Sequence, residues 1–259
     1  MRRTDVREGN AGVIGSYRDH DLHARVGTII REHSENARDI RSVVRDAVPW
    51  PGVRSILDLG CGYGWFEEVM PGGLDLIVGI DCLPENEAPF LANASARARE
   101  AAFRVMTLPA PTGLPADHFD LVLSLYSLYF FPGAVGEIAR VLKPGGSFLS
   151  LTHSASMLEE GQHYFDFRNL RKVIERFSAE NGEAFLKQHF TTVSHIDYPN
   201  ALLFREGDED SLALYIDFKR EFIEKDVDPR IVRDKMLSEL RRKGELRFNK
   251  NDRIFMAGK

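Results

Sequence analysis

The chain has 259 residues, of which 43% are hydrophobic and 28% charged, so its length allows one large domain or a core domain with an added lobe. The formal net charge of −5 argues against a polyanionic partner such as nucleic acid, and no apolar run is long enough for a membrane helix. The first residues lack the apolar core of a signal peptide and two cysteines offer no disulfide framework, so we expect a cytoplasmic protein.

Apolar periodicity predicts helices and strands that alternate through the first half of the chain. The first helix spans about 20–48 and ends at Pro49-Trp50-Pro51-Gly52. Five strands follow at 54–59, 75–80, about 102–106, 119–125 and 147–152, with intervening helices at about 63–70, 87–99 and 133–142. Helical connections between consecutive strands produce a parallel sheet with helices on both faces.

The second half predicts two more strands that are separated by a helical insertion. A helix at 167–188 precedes a strand at about 190–198, and the last strand lies at about 247–257. The intervening residues show helical periodicity at 209–224 and 229–243, and a structureless loop of this length is uncommon. We therefore predict a Rossmann-like, seven-stranded, mostly parallel sheet with a helical cap inserted before the last strand. The predicted segments are an N-terminal helical part of the cap at 1–52, a core at 53–198, the cap insertion at 199–246 and the last core strand at 247–259.

The glycine-rich turn after the first predicted strand indicates a nucleotide site. The apolar run Ile56–Leu59 leads into Gly60-Cys61-Gly62-Tyr63-Gly64, and a second apolar run ends at Asp81. Glycines let backbone N–H groups approach a ligand, the N-terminus of the following helix faces the same ligand, and a carboxylate at the next strand end can hold ribose hydroxyls. Trp65 replaces the third glycine of a dinucleotide fingerprint, and Asp58 would repel pyrophosphate but receive a cationic amine. These features favour S-adenosyl-L-methionine.

Four segments in this order resemble the class I S-adenosylmethionine-dependent methyltransferases, and among them the type 11 methyltransferases. The segments are the glycine motif Ile56–Gly64, the strand end Ile77–Asp81, the fourth-strand motif Leu114–Val122 and the helix-and-turn signature Glu137–Gly146. The resemblance covers roughly residues 50–155. It implies an enzyme that uses S-adenosyl-L-methionine as its methyl donor.

The resemblance also implies that the ends of the first two strands bind the cofactor. The glycine turn lines the methionine half, Asp58 orients the amino group, and Asp81 holds the ribose hydroxyls. A structural carboxylate at Asp58 and a helix cap at Asp81 remain the alternatives. Together with the neighbouring strand ends, these positions give the predicted cofactor-binding set: Asp58, Gly60, Cys61, Gly62, Gly64, Asp81, Cys82, Leu83, Thr107, Ser124, Leu125 and Tyr126.

The other strand ends are assigned to the adenine and the sulfonium. Cys82 and Leu83 flank the adenine, which Thr107 or backbone groups recognise, because no carboxylate follows the third strand as it does in many family members. Family members place the end of the fourth strand beneath the sulfonium, so the resemblance implies this position for residues 124–126, where aromatic faces attract a cationic methyl donor.

His153 and Tyr129 are the candidate catalytic residues. His153 is the one histidine predicted at the C-terminal end of a strand, and a neutral imidazole suits the removal of a hydroxyl proton near neutral pH. A structural or substrate-binding role for His153 remains open. Tyr129 follows the fourth strand and offers a hydroxyl group. The histidines and cysteines show no ligand spacing, so no metal site is predicted.

The predicted activity is direct transfer of a methyl group to a small-molecule O, N or C acceptor. In such a displacement the protein contributes mainly by positioning the reactants and excluding water. An RNA or protein methyltransferase is one alternative, because residues 229–253 are basic, and a non-catalytic S-adenosylmethionine-binding module is another. We expect a monomer or a homodimer.

Overall fold

The computed structural model describes residues 13–164, 168–220 and 227–259, which divide into two compact units. The larger unit comprises Arg38–Ala155, Ile174–Tyr198 and Asp252–Lys259, and the smaller unit comprises Met1–Ala37, Ser156–Val173 and Pro199–Asn251. The predicted cap segments 1–52 and 199–246 include residues 1–12 and 221–226, which lie outside the described residues.

A seven-stranded sheet forms the larger unit. Its strands are β1 (Ser55–Leu59), β2 (Leu74–Asp81), β3 (Ala98–Val105), β4 (Phe119–Leu125), β5 (Leu142–His153), β6 (Thr192–Tyr198) and β9 (Asp252–Gly258), in the spatial order β3-β2-β1-β4-β5-β9-β6. The five strands from β3 to β5 pair in parallel, and β9 lies antiparallel between β5 and β6. The predicted seven-stranded, mostly parallel sheet is therefore confirmed.

The centre of this sheet is apolar because its strands are covered on both faces. Every residue of β1 is buried, and four apolar side chains of β4 are completely inaccessible: Phe119, Leu121, Val122 and Leu123. Asp120 is a charged residue in β4, and its carboxylate accepts hydrogen bonds from the Ser55 N–H at 2.8 Å and from the Lys143 ammonium at 2.7 Å. Hydrogen bonds from Lys143 and from the Arg54 and Ser55 N–H groups outweigh the effect of burial and lower the pKa of Asp120 to about 2.

Helices α2 (Ile40–Ala47), α3 (Glu87–Ser95), α4 (Val135–Val141) and α6 (Gly182–Leu186) also belong to the larger unit. The prediction of a helix at about 63–70 is wrong, because only a single 3-10 turn forms there, at Glu67–Val69. Gly62 and Gly64 have φ values of +54° and +82°, and Pro71 follows soon after. Too few residues remain in between for an α-helix to propagate, so no α-helix begins directly after the glycine turn in this part of the chain.

The smaller unit combines helices with a two-stranded sheet. Strands β7 (Ala201–Arg205) and β8 (Glu245–Asn249) pair antiparallel, helix α7 (Glu209–Lys219) packs against both α1 (His20–Glu32) and α8 (Pro229–Lys243), and α5 spans Arg168–Ile174. Asp228 caps the start of α8 by accepting from the Arg230 N–H at 2.9 Å, and Gly244 ends it in the left-handed conformation.

Three predicted elements are each divided in two. The predicted helix 20–48 forms α1 and α2, which belong to different units, and 167–188 forms α5 and α6. The predicted last strand forms β8 and β9, because Lys250 and Asn251 interrupt the pairing. The Lys250 N–H donates to the Asn200 carbonyl and the Asn200 N–H donates to the Asn251 side chain, so these two residues form a connection and not part of a strand.

Candidate active site

The glycine turn follows β1 directly and is held against the end of β2. Gly60, Gly62 and Gly64 all have positive φ values, of +71°, +54° and +82°. The Gly60 N–H donates to the Ile80 carbonyl at 2.7 Å, and the Cys61 N–H donates to the same oxygen at 3.3 Å. A side chain at position 60 would collide with Ser127, since an added Cβ would lie 2.5 Å from the Ser127 Cβ. The turn therefore requires glycine here for both conformation and space.

Asp81, the last residue of β2, ties the glycine turn to the turn after β2. One carboxylate oxygen accepts from the Gly62 N–H at 3.0 Å, and the other accepts from the Leu83 N–H at 2.9 Å. Asn86 adds a longer contact of 3.4 Å. Burial raises the pKa of Asp81, and these donors oppose that rise. The carboxylate lies where the ends of β1 and β2 meet, the edge at which parallel sheets bind ligands.

Asp58 and Glu67 form a pair of buried carboxyl groups beneath the turn. Asp58 is 3% exposed and Glu67 is fully buried. Within the described residues, one oxygen of Asp58 and both oxygens of Glu67 accept no hydrogen bond. Burial raises the pKa of both groups, and the charge of Asp58 raises the pKa of Glu67 further. Two buried acids without cationic partners are costly unless a proton or an external cation compensates them.

The end of β4 is joined to the glycine turn through two serines. The Ser127 hydroxyl donates to the Leu59 carbonyl at 2.7 Å, and the hydroxyls of Ser124 and Ser127 lie 2.7 Å apart. Ser124 is completely buried, and Leu125 is half-buried. These contacts place residues 124–126 beside the end of β1, as adjacent parallel strands require.

A histidine, a tyrosine and an aspartate meet at the ends of β4, β5 and β9. His153 closes β5 and Asp252 opens β9, and the antiparallel register pairs them directly. The His153 Nδ1 lies 2.6 Å from one oxygen of Asp252, and the Tyr126 hydroxyl donates to the other oxygen at 2.6 Å. The Tyr126 and His153 rings stack with centroids 4.5 Å apart. One buried carboxylate thus holds two rings in contact with each other.

Further rings surround this cluster. Tyr129, which is 4% exposed, stacks on His153 with centroids 6.0 Å apart. On the other side, the rings of Trp65 and Tyr126 lie 6.1 Å apart. Since Trp65 directly follows the glycine turn, the aromatic contacts connect this turn to His153.

The remaining predicted residues lie around the turn at the end of β2. Cys61 and Leu83 are buried and Cys82 is half-buried. Burial and the nearby carboxyl groups raise the pKa of the Cys61 thiol, so it lacks the thiolate character of a nucleophile. Thr107 is exposed and follows Met106, whose N–H donates to the Asp81 carbonyl at 2.8 Å.

Three residues of the candidate site were not predicted from the sequence: Glu67, Ser127 and Asp252. Asp252 follows Lys250-Asn251, which has the composition of a turn, and 99 positions separate it from His153. The pairing of the last strand with β5 was the available signal for this contact. Any strand that pairs with β5 must place one of its residues opposite His153, the last residue of β5. The register that selects Asp252 is a tertiary property.

Two further classes of feature are absent from the residues that the structure describes. Among them, no helix is both long and apolar enough to cross a membrane. Nor do three or more His, Cys, Asp or Glu side chains gather there in a group that could hold a metal ion.

Comparisons of sequence relate this chain to methyltransferases. Residues 57–150 match the family model of a methyltransferase domain. Over 115 residues the chain is 37% identical to aklanonic acid methyltransferase DauC of Streptomyces sp. (strain C5). That alignment covers 41% of this chain and 50% of DauC, so the chain matches half the length of this curated relative.

Comparisons of structure relate the chain to proteins of the same fold. The YcgJ protein of Bacillus subtilis superposes with a TM-score of 0.59 at 18% identity, over 85% of this chain and 97% of YcgJ. The (4+2)-cyclase SpnF superposes with a TM-score of 0.53 at 16% identity, over 92% of this chain and 94% of SpnF. At these identities the similarity shows the fold alone, and the fold is shared with a protein named for a cyclisation.

Proposed function

We propose that this chain, whose residues 57–150 match the family model of a methyltransferase domain, is a class I S-adenosylmethionine-dependent methyltransferase that transfers a methyl group to a small-molecule acceptor. The observation that carries the proposal is the contact between the Asp81 carboxylate and the Gly62 N–H at 3.0 Å. It brings the Asp81 carboxylate and the glycine turn to one edge of the sheet, and this arrangement supports a role for Asp81 in holding the ribose hydroxyls. S-adenosyl-L-methionine is the cofactor.

The buried carboxyl groups beneath the turn fit the cationic end of this cofactor. The unpartnered oxygen of Asp58 is suited to an ammonium group, which supplies both charge and donors. The open backbone of Gly60, Cys61, Gly62 and Gly64 then lines the methionine half, and Asp81 holds the ribose hydroxyls. Bound there, the cofactor supplies an electrophilic methyl group on a positively charged sulfur.

The other strand ends complete the cofactor site. Cys82 and Leu83 flank the adenine, and Thr107 together with nearby backbone groups recognises its edge. Ser124, Leu125 and Tyr126 lie beneath the sulfonium, where the π face of Tyr126 attracts positive charge. These residues orient the donor and exclude water from it.

His153 and Tyr129 act on the acceptor side. His153 accepts the proton of the acceptor as the methyl group is transferred, because imidazole is suited to proton transfer near neutral pH. Tyr129, which stacks on His153, orients the acceptor through its hydroxyl group.

A small acceptor is favoured over a macromolecule. DauC is named as a methyltransferase of aklanonic acid, and the net charge of −5 here provides no general attraction for a nucleic acid. The acceptor is therefore an organic metabolite and not an RNA.

Isothermal titration calorimetry with S-adenosyl-L-methionine tests cofactor binding. Asp81→Ala should weaken binding by at least tenfold, because two strong acceptors for ribose hydroxyls are lost. Asp75→Ala is the matched control: it removes an exposed carboxylate that pairs with Arg99 at the opposite end of β2. Equal affinity of Asp81→Ala and the wild type would refute the site assignment.

Methyl transfer is tested separately, because the fold also occurs in a cyclase. The wild-type chain is incubated with labelled S-adenosyl-L-methionine and pools of phenolic, carboxylic and amine metabolites, and S-adenosylhomocysteine release is measured. Binding of the cofactor without turnover on any pool would support a non-catalytic binding module instead.

A further inference from the structure

We infer that Asp252 is a positioning residue that holds His153 and Tyr126 as one unit, and that the acceptor atom is the oxygen of an acidic hydroxyl group. The inference rests on the proposed methyl transfer and names the substrate class for that site. It starts from the contacts of a single carboxylate with two aromatic side chains.

Asp252 is almost inaccessible to solvent, with 3% exposure, and among the described residues its carboxylate contacts both Tyr126 and His153. The Tyr126 hydroxyl and the His153 Nδ1 each lie 2.6 Å from a different oxygen. Bonds of this length to a buried carboxylate are typical of charge-assisted hydrogen bonds. Loss of either donor would leave a buried charge less well compensated, so the three side chains stabilise one another.

The carboxylate also fixes the protonation of the imidazole. An ionised carboxylate only accepts hydrogen bonds, so the His153 Nδ1 must carry the hydrogen. In the neutral ring this assigns the lone pair to Nε2, which is therefore the nitrogen that takes a proton. In the serine-protease triad, an aspartate likewise fixes the tautomer of a histidine, and its replacement by asparagine gives the wrong tautomer.

Tyr126 limits the rotation of the imidazole from a second direction. Its ring stacks on His153 at an interplanar angle of 23°, and its backbone is held in the left-handed region at φ +55°. Its N–H donates to the Leu151 carbonyl at 2.8 Å, so this conformation is anchored in the sheet. A non-glycine residue in the left-handed region is uncommon and is maintained only where surrounding contacts enforce it.

A fixed base of this kind is required by a hydroxyl acceptor. The oxygen lone pair forms the new C–O bond, the S–C bond breaks, and its electrons remain on sulfur as neutral S-adenosylhomocysteine. The hydroxyl proton passes to Nε2 of His153, giving an imidazolium that Asp252 stabilises. A neutral amine attacks without a base, since its proton can leave to water after transfer. A phenol or an enol is acidic enough to give its proton to imidazole as the C–O bond forms, and it is the acceptor class that we assign.

The first test observes the tautomer directly and needs no acceptor. Nitrogen-15 NMR of the full chain labelled at histidine, with Nε2 assigned through His153→Gln, should show Nδ1–H in the wild type. Asp252→Asn should convert a large fraction of the ring to the other tautomer, because an amide does not demand the Nδ1 hydrogen. Asp197→Asn, on the neighbouring strand β6, is the matched control and should leave the tautomer unchanged. An unchanged tautomer in Asp252→Asn would overturn the positioning role.

The second test separates this inference from the proposed function. Asp252→Asn should bind S-adenosyl-L-methionine within about twofold of the wild type, yet lose at least about tenfold in kcat on phenolic or enolic acceptors. Far-ultraviolet circular dichroism checks that Asp252→Asn is folded. If Asp252→Asn does not fold, Tyr126→Phe tests the same group of side chains. This variant should lower kcat less and keep the Nδ1–H tautomer. Absence of cofactor binding in the wild type would refute the proposed function, whereas turnover on amines alone would refute the acceptor class.

Discussion

The buried pair of Asp58 and Glu67 predicts an unusual dependence of stability on pH, which Glu67→Gln should remove. Glu67 is fully buried, and its carboxyl oxygens accept no hydrogen bond within the described residues. Burial and the charge of Asp58 raise its pKa well above 4.5, so the folded chain favours the protonated form of this group. Glutamine has nearly the same shape and stays neutral at every pH.

The magnitude follows from proton linkage. A carboxyl group in the unfolded chain ionises near pH ~4, whereas Glu67 in the folded chain ionises at a higher pH. Its contribution to stability is complete below that pH and is lost as the pH rises toward the folded-state pKa. The free energy of unfolding should therefore fall by about 1.4 kcal/mol per pH unit for this one retained proton. Over the pH range between the unfolded-state and folded-state pKa values, Glu67→Gln should therefore gain stability relative to the wild type, because glutamine has no proton to lose.

Tryptophan fluorescence in urea measures this difference in the relevant unit. The two tryptophans, Trp50 and Trp65, both belong to the larger unit, which also contains Glu67. Glu68→Gln is the matched control, since Glu68 is exposed and pairs with Arg41 at 2.9 Å. Any fixed cost of burying an amide shifts the Glu67→Gln curve equally at each pH. Parallel pH profiles for the wild type and Glu67→Gln would show that Glu67 does not retain a proton.

Two further substitutions test the packing of the turn and of the sheet. Gly60→Ala should destabilise the larger unit by about 1–3 kcal/mol and weaken cofactor binding, because the new Cβ meets Ser127 and the positive φ disfavours alanine. Urea unfolding together with calorimetry checks both effects, and wild-type values in both would contradict the steric reasoning. Asp120→Asn should cost about 2 kcal/mol at pH 7, because the folded-state pKa near 2 lies below the unfolded value. The difference in free energy of unfolding between the wild type and Asp120→Asn should shrink as the pH falls from 4 to 2. A difference that is constant with pH would contradict a lowered pKa of Asp120.

Strand β4 shows how much of the fold follows from the sequence alone. Its predicted bounds, 119–125, agree with Phe119–Leu125, because a strand buried on both faces needs a continuous apolar run and polar residues border it. Strand β5 begins earlier than predicted, at Leu142 instead of 147. Pro144-Gly145-Gly146 has the composition of a turn, yet an irregular register lets Leu142 pair with Phe119 across that interruption.

The contacts of the candidate site also differ in whether the sequence alone could predict them. The contact between Gly62 and Asp81 joins the ends of consecutive parallel strands, which the order of strands in the sequence already brings together. Asp252 meets His153 only through the register of an antiparallel strand that returns after a long insertion. Glu67 differs again, since it is buried in a 3-10 turn where the sequence predicts an α-helix. Local pattern specifies the first contact, and tertiary packing specifies the other two.

The chain leaves the large sheet at Tyr198 and re-enters it at Asp252, and these two residues are direct neighbours on β6 and β9. Residues 199–251 are thus inserted at a point where a short hairpin connection would also close the sheet. Loop-closure entropy rises only slowly with length, by roughly 0.6 kcal/mol for each doubling, so such an insertion can grow or be exchanged at small cost to the sheet. Evolution can therefore vary this segment as a replaceable module, while the strand end that begins with Asp252 keeps its place opposite His153.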